Sequence, residues 1–133
     1  MNACPLALRY VCFSVLLGFV QIIVSSHAAS LQRGYRWTAS ARDAVVPPLT
    51  GIAGRLERAL RNFCETFPLF LAAVWVATSS GHCEGATEIG CRMYFWARVA
   101  YVPLYALGVP VVRSLVWNVA TIGIAVILVG AWA

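Results

Sequence analysis

Arg55-Leu-Glu-Arg58-Ala-Leu-Arg61-Asn62-Phe-Cys-Glu65-Thr-Phe-Pro68-Leu-Phe70 is the stretch whose reading decides the fold. It opens with three arginines and two glutamates and passes without a break into an apolar run to Val76. Arg58, Arg61, Asn62 and Glu65 recur at i, i+3, i+4 and i+7, the spacing that places side chains on one face of a helix. Charged groups at the mouth of an apolar helix are costly in a bilayer unless partners or a polar ligand meet them. That face is the first candidate for function.

The rest of the composition agrees with a membrane setting. Of 133 residues, 61% are hydrophobic and 11% charged, and the mean hydropathy is +0.78. Soluble domains carry about 25% charged residues. The length predicts a single domain over residues 1–133, and four spanning helices of about 20 residues each would use most of it. All ten basic residues are arginine, giving a net charge of +5. In such a chain they point to topology and to an anionic ligand rather than to nucleic acid. The five cysteines follow no metal-ligand spacing, and the two distant histidines make no metal site. Cys83 and Cys91 flank a polar connection and could pair on an oxidising side; Cys4, Cys12 and Cys64 read as small hydrophobes beside apolar helices.

Working outward, the expected spans are residues 5–26, 52–80, 88–107 and 112–132. Arg9, the run Tyr10 to Val24 and Ser26-His27-Ala28 also imitate a cleaved leader. Cleavage would leave the arginine-rich segment outside, against the positive-inside tendency, so a retained first helix is expected. His27 to Gly54 reads as a polar connection, with Tyr35 and Trp37 at the interface. Six arginines lie between positions 33 and 61, whereas the connection over 79–89 has none. The first connection is therefore expected on the cytoplasmic side and both termini outside. Pro68 should kink the second span and Pro103 interrupt the third.

This topology collects Arg58, Arg61, Asn62, Glu65, Arg98, Tyr101, Tyr105 and Arg113 at one membrane level. Arginines could bind carboxylates bidentately, a glutamate an ammonium and an asparagine amide groups, which suits a small zwitterionic or anionic ligand. A structural reading competes: Arg58 and Arg61 paired with Glu65, tyrosines in an interfacial belt, and a buried Arg98–Glu65 pair holding helices together.

Arg58-Ala-Leu-Arg-Asn62-Phe-Cys-Glu65-Thr-Phe-Pro-Leu-Phe, then Ala97-Arg98-Val-Ala-Tyr101 with Tyr105, then Arg113-Ser114, resembles the MAPEG family, the membrane-associated proteins in eicosanoid and glutathione metabolism. The likeness covers about Gly54 to Trp117, and the Gly-Val-Pro connection looks most like the bacterial branch. The resemblance implies an all-α, membrane-spanning four-helix bundle assembled as a homotrimer, in a bacterial inner membrane. Glutathione would be the co-substrate at subunit interfaces, and lipophilic small molecules would enter from the bilayer. It also assigns roles. Arg58, Arg61, Asn62, Glu65 and Arg98 would hold glutathione, with Tyr101 and Tyr105 contributed by the neighbouring subunit. Arg113 would stabilise the thiolate, and Ser114 could add a hydrogen bond to the sulfur. No metal and no nucleic acid are implied. The chain departs from the pattern at Thr66, where many members carry tyrosine. The activity implied is a glutathione-dependent transferase or peroxidase; the alternative is a non-catalytic member using its polar face for trimer packing. A small efflux transporter ranks last, because the first span lacks an acidic residue.

Overall fold

The computed structural model describes residues 4–133; the first three residues of the expected domain lie outside the described residues. Four long helices, α1 (Pro5–Arg33), α3 (Gly51–Ser79), α4 (Ala86–Ala106) and α5 (Pro110–Trp132), and a single-turn α2 (Tyr35–Thr38) account for most of the chain. No strand occurs among the described residues, as the all-α expectation required. Pro5 and Pro110 open α1 and α5, where a missing N–H costs nothing because the first helical turn has no acceptor for it.

One boundary and one proline differ from the sequence expectation. Helix α1 runs to Arg33, seven residues past position 26, because no breaker precedes Gly34, whose φ of 91° ends it. The presumed polar connection therefore begins with helix and turns through α2. Helix α4 continues through Pro103, so that proline does not interrupt it; Pro68 lies inside α3, within the span where it was expected. At 1.5 Å per residue α3 is about 43 Å long, more than a hydrocarbon core of about 30 Å needs. Its charged first turns can thus stand at or beyond the membrane surface.

Packing is densest between α4 and α5. A Cβ added to Gly90 would lie 2.5 Å from the Gly123 carbonyl oxygen, and one added to Gly123 would lie 2.8 Å from that of Gly90. Only glycine lets these backbones meet, the usual device where lipid gives no hydrophobic drive for helix association. We expect Gly123→Ala to cost about 1–3 kcal/mol by forcing the helices apart. A thermal midpoint in detergent equal to that of the parent would refute this tight seam. Phe70, from the deciding stretch, stacks on Tyr94 at 4.1 Å between centroids and joins α3 to this pair within a core that includes Cys91, Ala120 and Ile127.

Large apolar side chains such as Phe19, Ile23, Trp75 and Leu128 remain exposed around the outside, and α1 and α5 are each long and apolar enough to cross a bilayer. Cys4 is bonded to Cys83, tying the start of α1 to the α3–α4 connection. The Cys83–Cys91 pairing that the sequence left open is not the one formed: Cys91 is a buried thiol in the α4 core, and Cys83 is bonded to Cys4.

Candidate functional site

Asn62 on α3, Tyr101 and Tyr105 on α4, and Arg113, Ser114, Trp117 and Asn118 on α5 line one open cleft of about 260 Å³. Helical spacing explains the assembly. Tyr101 and Tyr105 are one turn apart, as are Arg113 and Trp117, and Ser114 and Asn118, so each pair presents one face. The Arg113 guanidinium packs over the Tyr105 ring at 4.5 Å, and that of Arg58 approaches the same ring from α3 at 5.9 Å. Tyr101 meets Tyr105 edge-on at 5.5 Å. Among the described residues neither arginine has an ion-pair partner, so two positive charges border the cleft without a protein carboxylate to neutralise them.

Arg98 lies beneath this floor, 1% exposed. A buried guanidinium must have its N–H groups met. Nη1 donates to Asn62 Oδ1 at 2.7 Å and Nη2 donates to Thr66 Oγ1, while Tyr94 and Tyr101 present their rings at 5.5 and 5.3 Å. The Thr66 hydroxyl in turn donates to the Asn62 carbonyl at 3.2 Å. Asn62 is thereby fixed from below, with its amide NH2 oriented by what its oxygen accepts. Thr66 was the departure from the family pattern; its hydroxyl accepts a hydrogen bond from the buried arginine, which a valine could not do. We expect Thr66→Val to leave a charged donor unmet and cost about 1.5–3 kcal/mol. Denaturant unfolding in mixed micelles measures it, and an unchanged midpoint would remove Thr66 from this role.

A family model described as MAPEG family matches residues 10–133. The chain belongs to the MAPEG family. It is similar to leukotriene C4 synthase of Mus musculus, 46% identical over 72 residues, which are 50% of this chain and 47% of that protein. Against leukotriene C4 synthase of Bos taurus the identity is 39% over 95 residues, 68% of this chain and 57% of that one. The chain thus spans about half the length of the curated relatives it matches.

In this MAPEG chain the residues singled out from sequence fall into three groups. Asn62, Tyr101, Tyr105, Arg113 and Ser114 line the cleft, and Arg58 borders it through Tyr105. Arg98 is set below, its terminal nitrogens bonded to Asn62 and Thr66. Arg61 and Glu65 are exposed on α3 outside the cleft. Two structural alternatives are overturned: Arg98 does not pair with Glu65, and Glu65 does not bridge to Arg58 or Arg61. The ion pair found among the described residues is Arg92–Glu88, on α4. Tyr101 and Tyr105 share a cleft with Asn62 of the same chain, because α4 packs directly on α3. Ser114 donates its hydroxyl hydrogen to the Pro110 carbonyl at 3.1 Å. Trp117 and Asn118 were missed; their position one turn beyond Arg113 and Ser114 was the available signal.

Proposed function

We propose that this MAPEG protein is an integral-membrane, glutathione-dependent transferase or peroxidase acting on lipophilic electrophiles. The observation that carries the reading is the cleft itself: two uncompensated guanidinia, an amide fixed from below and two phenols around one open space of about 260 Å³. Arg58 would bind a carboxylate of glutathione and Asn62 its peptide groups. Arg113 would face the sulfur and favour the thiolate, the nucleophilic form. In conjugation the thiolate forms a C–S bond while the electrophile's leaving group departs with the electron pair, or an opened ring oxygen takes up a proton. With a hydroperoxide, the thiolate would attack the terminal oxygen, forming an S–O bond as the O–O bond breaks; the departing alkoxide would take a proton to leave as the alcohol, and a second glutathione would convert the resulting sulfenic acid to glutathione disulfide and water. The leukotriene C4 synthases to which the chain is similar support the glutathione class of chemistry, and their names do not fix the electrophile here.

In this reading the chain assembles as a homotrimer, and the exposed Arg61 and Glu65 are available to a second copy. The arginine-rich connection faces the cytoplasm, and the membrane is a bacterial inner membrane. Support for that orientation comes from the Cys4–Cys83 bond, which lies at the opposite end of the helices, the end that would meet an oxidising compartment. The test of function is an assay of purified protein with glutathione and, separately, a nitroaryl halide and a lipid hydroperoxide. Turnover of either above the uncatalysed rate supports the proposal, and turnover of neither overturns it.

A non-catalytic member remains the second reading, and one observation favours it. Asn62 and Thr66 are committed to Arg98, and Ser114 to its own helix, so part of the polar face serves packing. Under that reading Asn62→Ala would lower trimer stability with glutathione having no effect.

A further inference from the structure

Helix α1 turns a polar face inward. Its buried residues are all small or polar, among them Ser14, Gln21, Ser25 and Ser30, whereas Phe13, Phe19 and Ile23 are exposed. Ser14, Gln21 and Ser25 recur at i, i+7 and i+11, so they form one stripe along the helix. Gln21 is the demanding member. It is 5% exposed, and among the described residues neither its Oε1 nor its Nε2 meets a hydrogen-bond partner. The same residue lines a space of about 60 Å³ between α1, α3 and α4, whose other walls are Leu17, Val20, Val24, Leu56 and Val102. From this geometry we infer that the space is a buried water site, in which a pair of waters closes a hydrogen-bonded ring on the Gln21 amide.

Volume and chemistry together choose the ligand. Sites for drug-sized molecules measure about 300–1,000 Å³, so neither glutathione nor a lipid fits here. One water takes about 30 Å³, which gives room for about two. The amide offers two N–H donors and a carbonyl oxygen with two lone pairs. Its N–H can donate to the first water, that water to the second, and the second back to Oε1. Each water then makes two hydrogen bonds, within the range of about 2–4 that buried waters make. The leucine and valine walls supply no polar side chain, and hydrocarbon outside the bundle has none to give. An apolar occupant would therefore leave the amide unmet, at the full cost of its desolvation. The surroundings fit as well. Gly18, one turn before Gln21, sits so close to α3 that a Cβ there would lie 3.0 Å from the Phe63 ring, which shuts the site on that side. Ser25, one turn after Gln21, carries the polar stripe toward the arginine-rich end, the direction from which water would enter.

This proposal rests on the inward face of α1 and stands whether or not the α3–α5 cleft is catalytic. The test is X-ray hydroxyl-radical footprinting of the detergent-purified full chain, read residue by residue by mass spectrometry. Radicals formed from a trapped water oxidise the side chains that touch it. Leu17 and Leu56 line the space, whereas Leu16, 59% exposed on the neighbouring face of α1, meets detergent and is the comparison. In the parent Leu17 and Leu56 should be oxidised about fivefold faster than Leu16, because buried water is their oxidant. Gln21→Leu should bring both down to the Leu16 rate. Val102→Leu pushes a methylene into the space and leaves the amide in place. It should slow Leu56 oxidation to the same level, which keeps the test readable if Gln21→Leu folds poorly. Leu17 and Leu56 oxidised no faster than Leu16 in the parent would overturn the inference. So would fast oxidation that both variants retain, which would trace the oxidant to bulk solvent.

Discussion

Arg113→Ala should lower kcat/KM for glutathione conjugation about 10²–10³-fold, the loss seen when one charge-stabilising group is taken from a reaction centre. The geometry makes the effect large because Arg113 is half-buried against Tyr105 and shares its charge with no protein carboxylate among the described residues. The pH profile gives the more specific sign. A free thiol ionises near 8.5, and a neighbouring cation lowers that value by favouring the anion. Under the proposed chemistry the parent's rate should therefore rise with pH through an inflection below about 8.5, and the variant's inflection should move up toward the free-thiol value. At high pH the two rates should converge, since the thiolate then forms unaided. A variant with full activity and an unmoved profile would take the thiolate role away from Arg113.

Replacing Arg98 should act differently, through Asn62. Arg98→Met keeps the volume and removes the donors to Asn62 Oδ1 and Thr66 Oγ1, leaving both acceptors buried with nothing to accept. Charge-assisted hydrogen bonds are worth about 1.5–3 kcal/mol each, so a stability loss of that order is expected. Asn62 would then be released to rotate, and KM for glutathione should rise about tenfold while kcat falls much less, the signature of a residue that positions a binding group. Arg98→Lys should restore part of the effect, since one ammonium cannot reproduce two separately aimed guanidinium donors. A variant that lost stability with KM unchanged would confine Arg98 to packing.

Much of this could be read from the chain because helical period and charge are local signals. The spacing of Arg58, Asn62 and Glu65 predicted one helical face, of which Asn62 lines the cleft, Arg58 borders it and Glu65 stands outside it. Tyr101, Tyr105 and Arg113 followed from family motifs and share a cleft with Asn62. What escaped was long-range or counter to local rules. The Cys4–Cys83 bond joins positions 79 apart, and nothing in the spacing of five cysteines selects it. The partners of Arg98 escaped too: on charge alone Glu65 was the competing candidate, whereas Asn62 and Thr66 accept its hydrogen bonds. The side of α3 that packs on α4 is the one bearing Thr66 and Phe70, and Glu65 falls just beyond it, on the exposed side. The extension of α1 to Arg33 and the α2 turn were hidden by polar composition, which reads as connection whether or not it is helical.

Glutathione binding by titration calorimetry on the detergent-purified protein, beside Asn62→Ala, tests the central claim most directly. The account predicts saturable binding in the parent and its loss, or at least a tenfold weakening, in the variant. No heat of binding at millimolar glutathione, or equal binding in both proteins, would contradict it and leave the α3–α5 cleft as a packing feature of the MAPEG bundle.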